Sequence, residues 1–339
     1  MLRTSEHLLC VSCGRRCPLI GGVWRIADRW SPAEEQARQA FEFEHRRFDT
    51  AQYLRIGPQL VENWLADVRL PPDFFRGKRV LDVGCGSGRW TYALASLGAE
   101  VTAVDITDAA VEITREVADR LPPGSGPVTV MQASLFALPF APAQFDVVVS
   151  WGVLHHTPDT AAAFREIASS VKPGGLLYVM VYERRNPVKV VGTDLLRLAL
   201  RHVSPETRYR FCGKLIVRNR VLFTLLRGLV ACIPERDLSP ALDARTAQFG
   251  LYDWYSPRYN HLHSVAEVYG WFHAAGFEDL SLTMPIKYRK LLEVWRFGQC
   301  GGSISMRGHR RCEAPERVGV ESGDDGEKTY EDLGVGARG

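Results

Sequence analysis

The sequence predicts a doubly wound α/β fold, a parallel sheet with helices on both faces. Three observations predict it. From Lys78 onward, short apolar runs alternate with segments of helical period. The run "FDVVVSW" is apolar almost without interruption, as a strand buried on both faces is. The first run, "RVLDV", leads into glycines at 84, 86 and 88, at the sheet edge where such folds bind ligands.

The elements follow in order along the 339 residues, a length that suits one large α/β domain with additions. Residues 1–30 read as a small separate head that carries Cys10-x-x-Cys13, a spacing zinc knuckles use, with Cys17 as the nearby third thiol. A tetrahedral zinc needs four ligands, so a metal-free turn is expected. Residues 31–76 read as helices. "SPAEEQ" opens the first, with proline and acids in its first turn. The aromatics Phe41, Phe43, Phe48, Tyr53 and Trp64 are expected mainly to pack, with a minority capping a ligand, and substrate specificity is expected in these helices and in residues 185–262.

Residues 77–184 form the expected core. "RVLDV", "EVTAVD", "VTVMQA", "FDVVVSW" and "LLYVMVYE" are strands. "GRWTYALASL", "DAAVEITREVADRL" and "TPDTAAAFREIASSV" are helices, the first closed by Gly98 and the last opened at Thr157-Pro158 and closed by "KPGG". Residues 185–262 break the rhythm and read as a helical insertion, a lid rich in Arg and Leu. Within it, "YDWYSPRYNHLH" (252–263) either caps a pocket or is a packed connection. Alternation returns over 263–298, where Ser264 and Glu267 form a capping box and Gly276 ends a helix. The Gly-rich, charged residues 299–339 are expected to be a disordered tail.

Composition narrows the function. A net charge of +3 counts against a dedicated nucleic-acid binder. No charge-free apolar stretch reaches the 18 or so residues of a membrane span, and the start "MLRTSEHLLC" lacks a signal-peptide core. Eight cysteines in this length are no disulfide framework, so a cytoplasmic protein with reduced thiols is expected. The Arg/Leu-rich stretch 185–236 leaves two roles open, a lid with a solvated basic face or a surface for peripheral membrane contact.

The glycine loop defines the ligand. A dinucleotide loop reads Gly-x-Gly-x-x-Gly, with pyrophosphate on the helix N-terminus. Here the third glycine, Gly88, comes one residue early and Arg89 takes the dinucleotide position. Asp105 ends the second strand, about 20 residues on, where a carboxylate accepts both hydroxyls of a ribose. Cys85, inside the loop, reads as a small packing residue.

"VLDVGCGSGRW", "VTAVDIT", "LPFAPAQFDVVVSWGVLHHTPD" and "VKPGGLLYVMV" resemble the successive motifs of class I S-adenosylmethionine-dependent methyltransferases, most closely the bacterial group that includes quinone-ring methyltransferases. The resemblance covers about 77–184 and resumes at 264–284. It implies a Rossmann-like sheet and S-adenosylmethionine as cofactor. It implies that Asp82 and the loop Gly84, Cys85, Gly86 and Gly88 hold the methionine part, that Asp105 binds the ribose and that Ile106 packs on the adenine. The family often has an acid near the adenine amine at the position of Ser134, so the serine is a departure that can still hydrogen-bond. Leu135 is expected to offer backbone contacts, and Ser150 and Trp151 to line the pocket floor. The head resembles the second half of a zinc-ribbon that precedes many such domains, without its first knuckle.

The expected chemistry is transfer of a methyl group to a small or lipid-linked acceptor at O, C or N. The sulfonium is already activated, so alignment and water exclusion are the main tasks. A base is needed only where the acceptor must lose a proton. His155 and His156 are the nearest candidates, although Leu-His-His recurs in relatives of differing substrate and so also suits a structural role. A catalytically silent cofactor-binding module acting through a partner, and an RNA or protein methyltransferase, are the alternatives. "SWGV" stands where base-amino methyltransferases carry Asn/Asp-Pro-Pro-Tyr/Phe.

Overall fold

A computed structural model describes residues 2–3, 7–9, 14, 16–26, 30–47, 57–184, 187–217, 244–283 and 303–312. Cys10 and Cys13 of the head, Phe48 and Tyr53, residues 218–243 of the insertion and residues 313–339 of the tail lie outside them.

The chain opens with four short strands, β1 (Leu2–Arg3), β2 (His7–Leu9), β3 (Arg16–Ile20) and β4 (Val23–Arg25). Helices α1 (Pro32–Arg47) and α2 (Pro58–Val68) follow. Ser31 and Glu34 cap α1 reciprocally, each side chain meeting the other's backbone N–H. Then come β5 (Arg79–Val83), α3 (Arg89–Ser96), β6 (Glu100–Asp105), α4 (Asp108–Ala118), β7 (Val128–Gln132), β8 (Phe145–Trp151), α5 (Thr160–Ser169) and β9 (Val171–Tyr182). The expected alternation from residue 79 to 182 is present. Two of its boundaries differ. Asp159, whose carboxylate accepts from the Ala162 N–H at 2.9 Å, caps α5 in place of Thr157-Pro158. "KPGG" lies inside the bounds of β9, beside an irregularity in the β8–β9 register.

The insertion contributes α6 (Pro187–Leu200), α7 (Pro205–Val217) and α8 (Ala244–Tyr255). The chain then forms α9 (Val265–Ala274), β10 (Phe277–Leu282) and β11 (Ser303–Arg310). The capping box at Ser264 and Glu267 is formed. Residues 303–310 correct the expectation of a tail that begins at 299. They are a strand hydrogen-bonded antiparallel to β9 on one side and β10 on the other. Ile304 and Met306 are buried there, so alternating apolar residues hold this strand although the flanking glycines suggested disorder.

One sheet runs β1-β2-β3-β4-β7-β6-β5-β8-β9-β11-β10. Strands β4, β7, β6, β5, β8 and β9 are mutually parallel. The head therefore joins the core directly, because β4 extends the parallel sheet at β7. The winding reverses between β5 and β8, and this switch point opens a crevice at the carboxyl ends of the strands.

Candidate functional site

A cavity of about 380 Å³ occupies this crevice. Its floor is the turn after β5. Gly84, Gly86 and Gly88 all have positive φ, of 75°, 52° and 76°. The Gly84 and Cys85 N–H groups both bond the Val104 carbonyl, at 2.7 and 3.0 Å, which folds the turn onto β6. A Cβ built on Gly84 would stand 2.2 Å from Val153 Cγ2, so the backbone and Val153 leave room only for hydrogen. Gly88 precedes α3 and meets α4 at Thr114 and Val117. Its role is helix packing.

Asp105 ends β6 at the cavity wall. The Gly86 N–H donates to its Oδ2 at 3.0 Å, and the Thr107 N–H and hydroxyl donate to Oδ1 at 2.9 Å each. The carboxylate is thus fixed in orientation before any ligand arrives. Asp82 lies beneath the turn, outside the cavity lining, and accepts the Thr91 hydroxyl at 2.7 Å. Burial pushes its carboxyl up to about 6, against the pull of the Thr91 hydrogen bond. Cys85 lines the cavity. Burial raises its thiol well above the ordinary range, which suits an inert packing residue.

Ile106, Ser134, Leu135 and Trp151 also face the cavity. Trp151 is held by its Nε1–H donating to Asp67 Oδ2 at 2.6 Å, and the Arg89 guanidinium sits 3.9 Å from its ring centroid. Ser134 accepts from the Phe136 N–H at 3.0 Å and donates to Glu34 Oε1. Ser150 is set apart from this group: it is fully buried and bonds the Val83 carbonyl at 3.2 Å.

The two histidines separate. His155 is fully buried, and neither of its ring nitrogens has a hydrogen-bond partner among the described residues. Its ring lies against Tyr182, tilted by 37° with 3.9 Å between centroids, and burial holds its pKa well below the ordinary value. His156 lines the cavity, with Nδ1 3.0 Å from the Tyr259 carbonyl. A carbonyl only accepts, so Nδ1 carries the proton and Nε2 keeps its lone pair.

The other end of the cavity is built by the N-terminal helix and the insertion, including Phe41 and part of the 252–263 stretch read as either a pocket cap or a connection, but most of its residues carry no motif. Glu34, Ala37, Phe41, Glu44 and His45 come from α1, Tyr182 from β9, and Gly250 and Asp253 from α8. His45 Cε1 would stand 3.4 Å from a Cβ on Gly86, so α1 roofs the glycine loop. Three ties hold α1 and the head over the site. Arg25 of β4 bonds Asp108 at 2.7 Å and Gln132 at 2.8 Å, Arg38 bonds Asp108 at 3.2 Å, and Glu42 accepts the Ala109 N–H at 3.1 Å. The missed acids had one sequence signal, a carboxylate inside an aromatic run, at "FEFEH" and "YDWY".

A glycine turn at a switch point, facing a carboxylate fixed at the end of the next strand, defines an α/β domain built to hold a nucleoside-bearing cofactor. Residues 81–179 match the family model described as a methyltransferase domain. Curated relatives include a ubiquinone biosynthesis O-methyltransferase of Stutzerimonas stutzeri, 38% identical over 112 residues, 33% of this chain and 47% of the relative. One of the same name from Azotobacter vinelandii is 36% identical over 177 residues, 50% of this chain and 66% of the relative. The first of these matches spans about half the relative's length. Among solved structures, a magnesium protoporphyrin IX methyltransferase from Synechocystis PCC 6803 with bound SAH aligns with a TM-score of 0.47 at 17% identity, over 82% of this chain and 99% of that one. The chain carries a class I S-adenosylmethionine-dependent methyltransferase domain, and S-adenosylmethionine is that domain's cofactor.

The site fits this cofactor. The Gly84 cradle would be filled by a Cβ, and Asp105 is presented at the wall with both oxygens oriented. Among the described residues, no group of His, Cys, Asp and Glu is arranged to hold a metal ion. Cys17, the third thiol of the head, is packed into the core. No helix among the described residues is long and apolar enough to cross a membrane.

Proposed function

We propose that this protein transfers the methyl group of S-adenosylmethionine to the hydroxyl oxygen of a small molecule. One observation carries the reading: a single cavity joins the glycine loop and Asp105 to a separate end walled by Phe41, Glu44, His156 and Asp253. The cofactor supplies an activated methyl group on a sulfonium. The residues of the chain supply the rest. Asp105 and the glycine turn take the ribose and methionine parts, and the carboxyl of Asp82 steadies the turn from below. Ile106 and Leu135 offer apolar walls for the adenine, with Ser134 and Glu34 at its edge. Phe41, Trp151 and Val153 exclude water where acceptor and methyl meet. The ubiquinone-type relatives, named O-methyltransferases, support oxygen as the acceptor atom. Incubation with methyl-labelled S-adenosylmethionine and a panel of small phenols, amines and thiols tests it. Label appearing as a methyl ether supports the proposal. Label on amines alone refutes it.

The insertion supports a second, narrower proposal, peripheral contact with an anionic lipid surface. Val191, Leu195 and Leu198 are exposed on α6, spaced to share one face. Sedimentation with vesicles containing phosphatidylserine at low salt tests it, and absence of binding removes a lipid-surface route for the acceptor.

A further inference from the structure

The cavity wall formed by residues 104–106 and 133–136 is backed by the head of the chain. Strand alternation puts Val23 and Arg25 on one face of β4. Val23 is buried against Val111 of α4 and Val130 of β7. Trp24, on the other face, and Ile26 are buried in the main core. Apolar packing and the pairing of β4 with β7 are therefore enough to hold the head in place. The guanidinium of Arg25 is free for a different task.

Its Nη1 meets two elements of the cavity wall at once. It donates to Asp108 Oδ1 at 2.7 Å and to Gln132 Oε1 at 2.8 Å. Gln132 ends β7, one residue before Ala133 of the lining, and is itself buried. Its Nε2 donates in turn to the Ile106 carbonyl at 3.2 Å. A side-chain amide has one acceptor end and one donor end. Arg25 takes the acceptor end and so turns the donor end onto Ile106. The other partner, Asp108, also accepts from Arg38 of α1 at 3.2 Å, so the same carboxylate carries the roof of the cavity.

We propose that Arg25 is a positioning residue for the cofactor: through Gln132 it fixes the Ile106 carbonyl, through Asp108 it fixes α1, and by both the head sets the affinity of the site for the adenosine half of S-adenosylmethionine. This rests on the methyltransferase reading above, in which Ile106, Ser134 and Leu135 bound the adenine. A loop left unanchored must be ordered when the ligand arrives, and that cost is subtracted from affinity. Arg25 orders it on folding instead. The head is then part of the cofactor site and not an appendage to the sheet.

Gln132→Glu separates positioning from anchoring. The carboxylate keeps its bond to Arg25 and adds charge to it, but it has no proton for Ile106 and sets two acceptors against each other. The full chain is melted without ligand, then titrated by calorimetry with S-adenosylhomocysteine and with 5′-methylthioadenosine, which keeps the adenosine half and lacks the amino acid. Q132E melts close to wild type and binds both ligands about tenfold more weakly, the loss expected for one buried hydrogen bond. R25A weakens both ligands by a similar factor. R25K, which keeps a donor for Asp108 and Gln132, recovers part of the loss. Three results overturn the proposal: Q132E binding both ligands as wild type does, a loss confined to S-adenosylhomocysteine, which would place the effect at the methionine half, or a Q132E chain that melts far below wild type, which would make Gln132 an anchor of the head. If R25A does not fold, Q132E alone still decides the matter. A wild-type chain that binds neither ligand would strike the methyltransferase reading instead.

Discussion

Glu34, at the start of α1, accepts a hydrogen bond from the hydroxyl of Ser134, which lies 100 residues further along the chain at the cavity wall. The family resemblance expects an acid at position 134, and here a carboxylate arrives beside that position from another element. The Ser134 hydrogen bond and the cap at Ser31 hold the Glu34 carboxyl below the usual range, against partial burial. Glu34→Ala should weaken S-adenosylhomocysteine binding about tenfold, the cost of one charge-assisted hydrogen bond. Adding Ser134→Asp to that variant should recover most of the affinity by calorimetry. No recovery would mean that Glu34 only anchors α1.

Gly84 should tolerate no side chain. A Cβ there meets Val153 at 2.2 Å and the residue has φ 75°, so Gly84→Ala meets both a clash and backbone strain. Binding of S-adenosylhomocysteine should be lost. Adding Val153→Ala should relieve the clash but not the strain, so only part of the binding should return. Full return would show that the strain is negligible.

Asp82 makes the unliganded protein pH-sensitive. Its folded pKa, about 6, exceeds the ordinary carboxyl value of 3.8. Its folded state therefore holds a proton that the unfolded chain has released, and this group costs stability as pH rises from about 4 to about 6. The full cost, of the order of a few kcal/mol, applies above about 6. Asp82→Asn should melt higher than wild type at pH 7 without ligand, and the two should converge near pH 4. A gap that does not change with pH would contradict the burial of this carboxyl.

The carboxyl-terminal strand should be essential to the fold. A chain ended at residue 302 loses β11, and with it the backbone partners of β9 and β10. That chain should be insoluble or unfolded by circular dichroism, whereas one ended at residue 312 should melt close to wild type. A folded 302-residue chain would refute the placement of β11.

The cofactor half of the site was legible because its residues lie in short contiguous motifs at strand ends. "VLDVGCG" and "VTAVD" each carry a strand, its turn and the functional group within a few residues. The other half was legible only as regions, the N-terminal helices and the 252–263 stretch, because Glu44 and Asp253 come from helices outside those motifs and reach the same cavity as His156 only through tertiary packing. Glu44 lies three residues after Phe41 and seven after Ala37, on one helix face, so an acid on an inward face was its only local mark. Strand β11 was missed for a similar reason. Its partner β9 lies more than 120 residues earlier, and no local pattern records that pairing. Ser150, expected at the pocket floor, shows the opposite limit: its place at a strand end was right, but strand alternation turned its hydroxyl onto Val83.

The central claim is that the crevice over Gly84 and Asp105 binds S-adenosylmethionine. Titration calorimetry of the wild-type chain with S-adenosylhomocysteine at neutral pH tests it most directly. Saturable heat with one site per chain, lost in Asp105→Ala, is the expected result. No heat with this ligand, alongside tight binding of NAD in the same cell, would contradict it.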